Sequence, residues 1–312
     1  MVKVDSAEME VAKYGQQLYN TLLKDRTTEG NIIWATSDYS DYGESFQAQA
    51  EIKLISKKLP NVITPRIRKN KQKQCDRTRE KAEVFTPSWI CNKQNNLIDE
   101  QWFGRANVFN SPYKQKWKTN PDTVLFSKEK DKDWSSYVDA RRMEITCGEA
   151  PYLVSRYDTV TGKFIDIIDR IGLLDRKLRV INENTDNEKD WFFWVMRAYQ
   201  SVYGYEYQGD SLLLARLNLI YTFIDNIQYK FNRMPTIDEL KKIATIISWN
   251  LWQMDGTTYS VPNCDVVQRI YQLSFFEEEV IEDIPTEYKQ LCKIKDWRSK
   301  TIIEYKSLVK EQ

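Results

Sequence analysis

Three acidic side chains and one tight turn stand at the ends of short predicted strands. Glu144 ends the first strand and precedes the small pair Cys147-Gly148, while Glu206 and Asp255 end the next two. A turn of small residues lets the backbone approach a ligand closely, and carboxylates accept hydrogen bonds from hydroxyl and amino groups. This set fits a ligand that carries ribose hydroxyls and an exocyclic amine. Taken alone, the first turn is also consistent with an ordinary strand–turn junction that buries a cysteine.

A further segment that could contact a ligand is Phe85-Thr86-Pro87. Thr86 is a favourable N-cap residue and Pro87 suits the first helical position, so we predict that a helix begins there. The first turn of such a helix presents backbone N–H groups that have no partner within the helix. An ordinary capped helix explains the same residues.

The chain contains no histidine, which excludes Ser-His-Asp and Cys-His catalysis and any histidine metal site. Its five cysteines are scattered and form no Cys-x-x-Cys pair, which indicates reduced thiols and argues against both a disulfide framework and a zinc site. No apolar run approaches the roughly 20 residues that cross a bilayer. The N-terminal residues lack the apolar core of a signal peptide. We therefore expect a cytoplasmic protein without a bound metal.

Basic residues are concentrated in segment 66–81, although the net charge of the whole chain is only +1. One interpretation is a strip that contacts DNA phosphates. The alternative is a solvated loop or helix, because no aromatic residue is interleaved here as a stacking platform. The candidate DNA-binding residues are Arg66, Arg68, Lys69, Lys71 and Lys73.

An α/β scaffold is required to bring these residues together. Apolar spacing predicts helices over 5–24, 48–59, 190–202 and 211–231, and another that begins at Pro235. Strands are predicted at 31–36, 142–146, 203–206 and 250–256. Ligands of open α/β folds lie outside the carboxyl ends of the strands. Because about sixty residues separate the first turn from Glu206, against roughly 20 in a dinucleotide-type unit, we expect an insertion at 156–189 to be looped out.

Together these motifs resemble those of a known family, the adenine-specific DNA methyltransferases of restriction–modification systems. The likeness is to the methyltransferase part of the large fused type II enzymes in particular. Val84-Phe-Thr-Pro87 looks like the segment that opens the S-adenosylmethionine site in that family. Glu144-Ile-Thr-Cys-Gly-Glu-Ala-Pro-Tyr-Leu153 is similar to the family's Asp-Pro-Ala-Cys-Gly-Ser-Gly-x-Phe-Leu turn. Tyr203-Gly-Tyr-Glu206, followed by Ala215-Arg-Leu-Asn218, resembles the second strand of the family, and Asn250-Leu-Trp-Gln-Met-Asp-Gly256 resembles the third.

The resemblance implies an incomplete Rossmann-like, S-adenosylmethionine-dependent methyltransferase fold with a helical N-terminal region. It implies a first α/β region at 1–82, a cofactor-binding domain at 83–256 and a C-terminal tail at 257–312 that docks a partner. Glu206 would then take the ribose and Asp255 the adenine. The remaining implied cofactor contacts are Phe85, Thr86, Pro87, Glu144, Thr146, Cys147, Gly148 and Ala150.

The departures from the family pattern concern the catalytic half. Glu144 stands in place of an aspartate, and Ala150 in place of the second glycine of the turn. The family's Asn-Pro-Pro-Tyr motif, which orients the target amine and stacks on the flipped base, should follow Asp255, but the sequence has no Pro-Pro. Val261-Pro-Asn-Cys264 offers no aromatic residue in its place. The chain also ends at residue 312, before the remaining strands and a target-recognition domain would be complete.

Two accounts fit these departures. In the first, the enzyme is split: this chain supplies the cofactor half, and a partner subunit supplies the catalytic motif and the recognition of double-stranded DNA. In the second, the chain is an inactive relative that binds cofactor, DNA or another protein. A non-enzymatic DNA-binding or interaction protein that uses segment 66–81 belongs to this second account.

Overall fold

The chain folds as a mixed α/β protein with several small sheets, one of them parallel. The computed structural model describes residues 15–53, 62–69, 71–81, 86–129, 131–273 and 278–309. The helices are α1 (Gln16–Leu23), α2 (Lys71–Lys81), α3 (Ser88–Phe103), α4 (Trp134–Asp139), α5 (Leu173–Asn184), α6 (Glu188–Gln200), α7 (Gly209–Phe231) and α8 (Ile237–Asn250). The strands are β1 (Asn110–Tyr113), β2 (Lys116–Thr119), β3 (Arg142–Glu144), β4 (Val202–Glu206), β5 (Leu251–Gln253), β6 (Ser260–Leu273), β7 (Glu278–Leu291), β8 (Lys293–Asp296) and β9 (Thr301–Glu304).

The parallel sheet has the strand order β3-β4-β5. Glu144 lies opposite Gly204, and Glu206 lies opposite Gln253, so the three strands end at one edge of the sheet. The chain passes from β3 to β4 through α5 and α6, and from β4 to β5 through α7 and α8. The three predicted strands around the turn are thereby confirmed. The first and third are shorter than their apolar patterns suggested, and the second begins one residue earlier than predicted.

Helices α7 and α8 contribute a large share of the main apolar core, together with α1, α5 and α6. The predicted apolar stripe of α7 is buried, and Arg216 among it is also fully buried. Its guanidinium donates to the carbonyl oxygens of Leu251 at 2.6 Å and Leu22 at 2.6 Å, which ties α7 to β5 and α1. A capping box between Thr236 and Glu239 starts α8, as the sequence predicted. The stripe residues are Leu213, Leu217, Ile220, Ile224 and Ile227.

The C-terminal hairpin β8–β9 packs on one face of the parallel sheet. A second apolar cluster joins Tyr205 and Trp252 of the sheet to Cys292 and Ile294 of the hairpin. The sheet is therefore covered by helices on one side and by a hairpin on the other. β6 and β7 form a separate antiparallel ribbon.

Two expectations about secondary structure are wrong. Residues 48–53 of the predicted helix 48–59 pair with the segment before them instead, with Ala35 donating to the Ala48 carbonyl and Ile52 to the Ile32 carbonyl. The predicted strand 31–36 accordingly forms only isolated bridges at Asn31 and Ile33. Part of the predicted helix 5–24 is α1, and the part before residue 15 lies outside the description.

The segment expected to be looped out, 156–189, contains the core helix α5. Leu174, Leu178 and Ile181 of α5 are completely buried. These residues recur at four- and three-residue steps, so one face of the helix packs into the interior. The segment is part of the α/β body because its apolar stripe needs that burial. In the part of the chain that the structure describes, no helix has both the length and the apolar character needed to cross a bilayer.

Candidate functional site

The turn that follows β3 is held in an unusual backbone conformation. Thr146, Gly148 and Ala150 have φ angles of 49°, 53° and 62°. Positive φ is unfavourable for threonine and alanine, which carry a Cβ atom, and such strain persists only where the surroundings enforce it. The Cys147 N–H donates to the carbonyl of Tyr205 at 2.8 Å, and the Ala150 N–H donates to the Cys147 carbonyl at 2.7 Å. The turn is thus fixed directly to the end of β4.

Glu144 closes this turn from inside. Its carboxylate accepts the backbone N–H groups of Tyr152 at 3.3 Å and Leu153 at 3.1 Å, and the side chain is buried. Burial raises the pKa of Glu144 to about 8, although the two N–H groups pull it down and the Glu206 carboxylate adds to the rise. Glu144 therefore holds a proton near neutral pH.

Glu206 joins the turn to the second strand. One carboxylate oxygen accepts the Gly148 N–H at 2.8 Å, and the other accepts the Gln208 N–H at 3.2 Å. Burial raises the pKa of this carboxyl above its ordinary value, and the N–H of Gly148 opposes that rise. The Tyr207 N–H also lowers this pKa as a backbone donor. Because the two carboxylate oxygens have four lone pairs in total, Glu206 can still accept a further hydrogen bond, for example from a ribose hydroxyl.

Asp255 lies two residues beyond β5 and is partly exposed. One of its oxygens accepts the Thr257 N–H at 2.8 Å and the Thr257 hydroxyl at 2.6 Å. Burial alone would raise the pKa of Asp255, but these hydrogen bonds outweigh it and lower the pKa. The neighbouring Met254 N–H donates to the Glu206 carbonyl at 3.0 Å, so the ends of β4 and β5 are joined.

The segment before α3 lies against the same turn. Phe85 is outside the described residues, whereas Thr86 and Pro87 are half-buried. α3 begins at Ser88 with Pro87 as N-cap, one residue later than predicted, and its Ser88 N–H is bound by the Asp158 carboxylate at 2.8 Å. The sequence predicted that this N–H group would be free, but the Asp158 carboxylate accepts its hydrogen bond. Further along α3, the Asn95 amide donates to the Tyr152 carbonyl at 3.0 Å.

Glu149 is a residue of the turn that sequence reasoning missed. It is buried, and one oxygen accepts the backbone N–H of Arg66 at 2.7 Å while the other accepts the Tyr157 hydroxyl. Asn218 donates to its carbonyl at 3.0 Å. The partners are 83 and 69 residues away in the chain, so no local pattern could have identified them. Glu149 fastens the start of the basic segment onto the turn.

The basic segment is partly an internal ion-pair network. Asp210 is completely buried. Its carboxylate forms ion pairs with Lys69 at 2.9 Å and Arg77 at 2.9 Å, and it accepts a hydrogen bond from the Tyr39 hydroxyl at 2.7 Å. Arg77 also contacts Asp38 at 2.6 Å. Burial would raise the pKa of Asp210, but the charges of Lys69 and Arg77 outweigh it and hold the pKa far below the ordinary value. The side chain of Lys69 is therefore largely buried, and its charge neutralises Asp210.

The other candidate DNA-binding residues are placed differently. Arg66 is half-buried, and its guanidinium donates to the Thr78 hydroxyl at 2.6 Å. Arg68 and Lys71 are exposed. The side chain of Lys73 lies outside the described part. Of the predicted strip, the structure thus leaves Arg68 and Lys71 on the surface.

The turn after β3 and Glu206 lie together at the carboxyl edge of the parallel sheet, and Asp255 follows β5 at the same edge. Thr86 lies beside Tyr152 and Thr159 rather than at a strand end. The edge combines a strained turn with acids at three strand ends, and these acids suit a ligand that is rich in hydrogen-bond donors or carries positive charge. Among the described residues no group of side chains could hold a metal ion. Comparison of the chain with protein-family models, curated proteins and solved structures found no match.

Proposed function

We propose that this chain is the cofactor-binding subunit of an S-adenosylmethionine-dependent DNA adenine-N6 methyltransferase of a restriction–modification system. The observation that carries the proposal is the ordered carboxyl edge: the turn after β3, Glu206 after β4 and Asp255 after β5 lie on three adjacent parallel strands. In a Rossmann-like sheet the first three strands are likewise neighbours in sequence order, and the ligand lies outside their carboxyl ends.

The chemistry of the edge supports this cofactor over a phosphate-bearing one. Glu206 and Asp255 are acids whose negative charge would oppose a pyrophosphate, whereas Glu144, with its raised pKa, adds little charge near neutral pH. A sulfonium carries positive charge, and ribose hydroxyls and the adenine amine are hydrogen-bond donors. Glu206 would hold the ribose with its free lone pairs, and Asp255 would accept the amine of the adenine. Cys147 and Gly148 would form the close-approach surface, with Thr86 and Pro87 beside it.

When bound, the cofactor would supply a methyl group from its sulfonium. The C–S bond would break, and the rest of the cofactor would leave as a neutral thioether. Transfer to an adenine amine needs positioning more than acid–base catalysis, which agrees with a chain that has no histidine. The target adenine would be flipped out of the duplex. We assign the Asn-Pro-Pro-Tyr loop and the reading of DNA to a partner subunit in the cytoplasm, because this sequence contains no Pro-Pro.

One observation favours the alternative of an inactive binding protein. Each acid at the edge already accepts a backbone N–H group from the residues that follow it: Glu144 from Tyr152, Glu206 from Gln208, and Asp255 from Thr257. Acids that have no ligand and simply stabilise their turns would show the same arrangement. The two functions differ in whether S-adenosylmethionine binds and whether a complex methylates DNA.

Calorimetric titration of S-adenosylmethionine into the purified chain tests the site. Glu206→Gln keeps one acceptor oxygen for Gly148 and removes the other, and Asp255→Ala removes the second acid. We expect each change to weaken binding by roughly tenfold or more, since a hydrogen bond to a charged group contributes about 1.5–3 kcal/mol. Glu304→Ala, an exposed acid on β9, is the control. Unchanged affinity in both site variants, with circular dichroism showing an intact fold, would sink the assignment.

A methylation assay tests the split. We expect no transfer of tritiated methyl groups to adenine in DNA by the isolated chain, and transfer by the native complex purified through a tag on this chain. Robust methylation by the single purified protein would refute the division of labour. A complex that binds cofactor but never methylates DNA would establish the alternative.

A further inference from the structure

A cavity of about 870 Å³ lies away from the carboxyl edge, and none of the predicted cofactor residues lines it. Its walls come from β2, the segment 167–169, α5 and the C-terminal half of α7. Pockets of roughly 300–1,000 Å³ with mainly apolar walls and a few fixed polar groups are the usual form of small-molecule sites. The cavity is therefore large enough for a ligand of nucleoside size.

A buried acid in the lining of this cavity is Asp175 at the start of α5. One of its oxygens accepts the Ser155 N–H at 2.8 Å, the Ser155 hydroxyl at 3.0 Å and the Gly172 N–H at 3.1 Å. The other oxygen is buried and has no hydrogen-bond partner among the described residues. Only 6% of the residue is exposed. A fixed carboxylate with one unpartnered oxygen selects a ligand that donates a hydrogen bond.

Three cations line the cavity, and two of them, Arg179 and Lys230, are occupied by groups of the protein itself, whereas Lys118 is exposed at its rim. Arg179 donates to Glu183 at 2.7 Å and to the Asn120 carbonyl at 2.8 Å, and Lys230 donates to the Asn182 carbonyl at 2.7 Å. These two cations are therefore committed, whereas Asp175 has a free acceptor. The polar lining favours a donor group on the ligand over an anionic one.

The apolar walls suit a flat ring. Trp117 comes from β2 and Tyr229 from α7, and Ile167 and Ile168 add aliphatic surface. The Trp117 indole N–H donates to the Asp169 carbonyl at 2.9 Å, which fixes the ring. Tyr229 and Ile168 have more than half of their surfaces exposed, at 56% and 58%. Aromatic side chains with open faces are the usual partners of stacked bases.

We propose that this cavity binds an amino-substituted planar heterocycle of nucleoside size, with its amine donating to Asp175 and its ring against Trp117 and Tyr229. This second site is independent of the carboxyl edge and of the function proposed for it. Adenosine and purine riboside are the matched probes, because they differ only in the exocyclic amine. We expect adenosine to bind roughly tenfold or more tightly than purine riboside, since the latter leaves Asp175 unpaired.

Calorimetry of adenosine binding to four forms of the full chain tests the proposal. Tyr229→Ala should weaken binding by a factor of about 5 to 150, the contribution of one stacked aromatic. Tyr113→Ala, an exposed tyrosine on β1 that does not line the cavity, should leave binding unchanged. Glu206→Gln should remove any adenosine bound at the carboxyl edge, so the adenosine binding that remains in this variant reports on the cavity alone.

Three results would overturn the second site. The first is the absence of saturable adenosine binding at millimolar concentrations. The second is equal binding of adenosine and purine riboside. The third is binding that Glu206→Gln abolishes and Tyr229→Ala leaves intact, which would place adenosine at the carboxyl edge alone. Conversely, adenosine binding that survives Glu206→Gln while S-adenosylmethionine binding never occurs would retain the cavity site and reject the proposed function.

Discussion

Replacing Glu144 with glutamine should change how the stability of the protein depends on pH. The carboxyl group is buried behind the turn and accepts two backbone N–H groups, from Tyr152 and Leu153. Its pKa rises from an ordinary value of 4.5 to about 8, chiefly because burial disfavours the charged form. The glutamine variant carries no titrating group at this position.

The direction and size of the effect follow from proton binding. Below pH 4.5, Glu144 holds a proton in both the folded and the unfolded chain and contributes no pH dependence. Between about 4.5 and 8 the unfolded chain loses this proton while the folded chain retains it, so the free energy of unfolding falls as pH rises. The shift corresponds to at most ~5 kcal/mol at about 1.4 kcal/mol per pH unit. Above pH 8 no further loss is expected.

Urea unfolding of the wild type and of Glu144→Gln at several pH values measures how much Glu144 contributes to the pH dependence of the free energy of unfolding. Titrating groups that do not interact with Glu144 cancel in the difference between the two free energies, provided that the variant retains the fold by circular dichroism. Glu206 interacts with Glu144, so its own pKa contributes to the difference. We expect the wild type to lose stability relative to the variant steadily from pH 5 to pH 8. A constant offset of about 1–3 kcal/mol is also expected, because an amide NH₂ faces one of the two N–H donors. A difference that stays flat or changes in the opposite direction would refute the account of Glu144 as a buried protonated acid.

Two further predictions concern the supports of the site. Arg77→Met should lower the free energy of unfolding by about 3–5 kcal/mol, because it leaves Asp210 buried with only Lys69 to neutralise it. The control Arg79→Met changes an exposed residue on the same helix and should alter the free energy of unfolding by no more than about 0.5 kcal/mol in the same urea titration. Equal effects of the two changes would contradict the internal network. Gly172→Ala should destabilise by roughly 1–3 kcal/mol, because an added Cβ would lie 2.3 Å from the Leu153 carbonyl oxygen; a melting temperature unchanged by calorimetry would show that this contact is not tight.

The local signals in the sequence predicted those parts of the site that depend on neighbouring residues. The strands that end at Glu144 and Glu206 could be predicted because apolar runs followed by turn residues favour buried parallel strands. Helix α8 was predicted from its capping residues and the apolar spacing after Thr236. Segment 48–59 was predicted as a helix and was wrong over 48–53, because the extended segment before it provides backbone partners that a local pattern does not include.

The segment 66–81 shows most clearly what local patterns cannot supply. Its density of charge suggested a phosphate-binding strip or a solvated surface, and both interpretations assume that the cations face outward. Lys69 and Arg77 turn inward because Asp210 is buried at the start of α7 and needs neutralising. The pairing spans more than a hundred residues, so it depends on the packing of α2 against α7.

Local sequence patterns predicted that strands end at Glu144 and Glu206, the order in which the acids occur, and that histidine takes no part in the chemistry, whereas β5 ends two residues before the predicted Asp255. The folded chain was needed to show that Glu144 is buried with a raised pKa, that Glu206 accepts the Gly148 N–H, and that Glu149 fastens the basic segment to the turn. The reason is physical: the pattern of apolar and turn residues acts over a few positions, whereas the burial and partners of a carboxylate depend on segments that meet only in the folded chain.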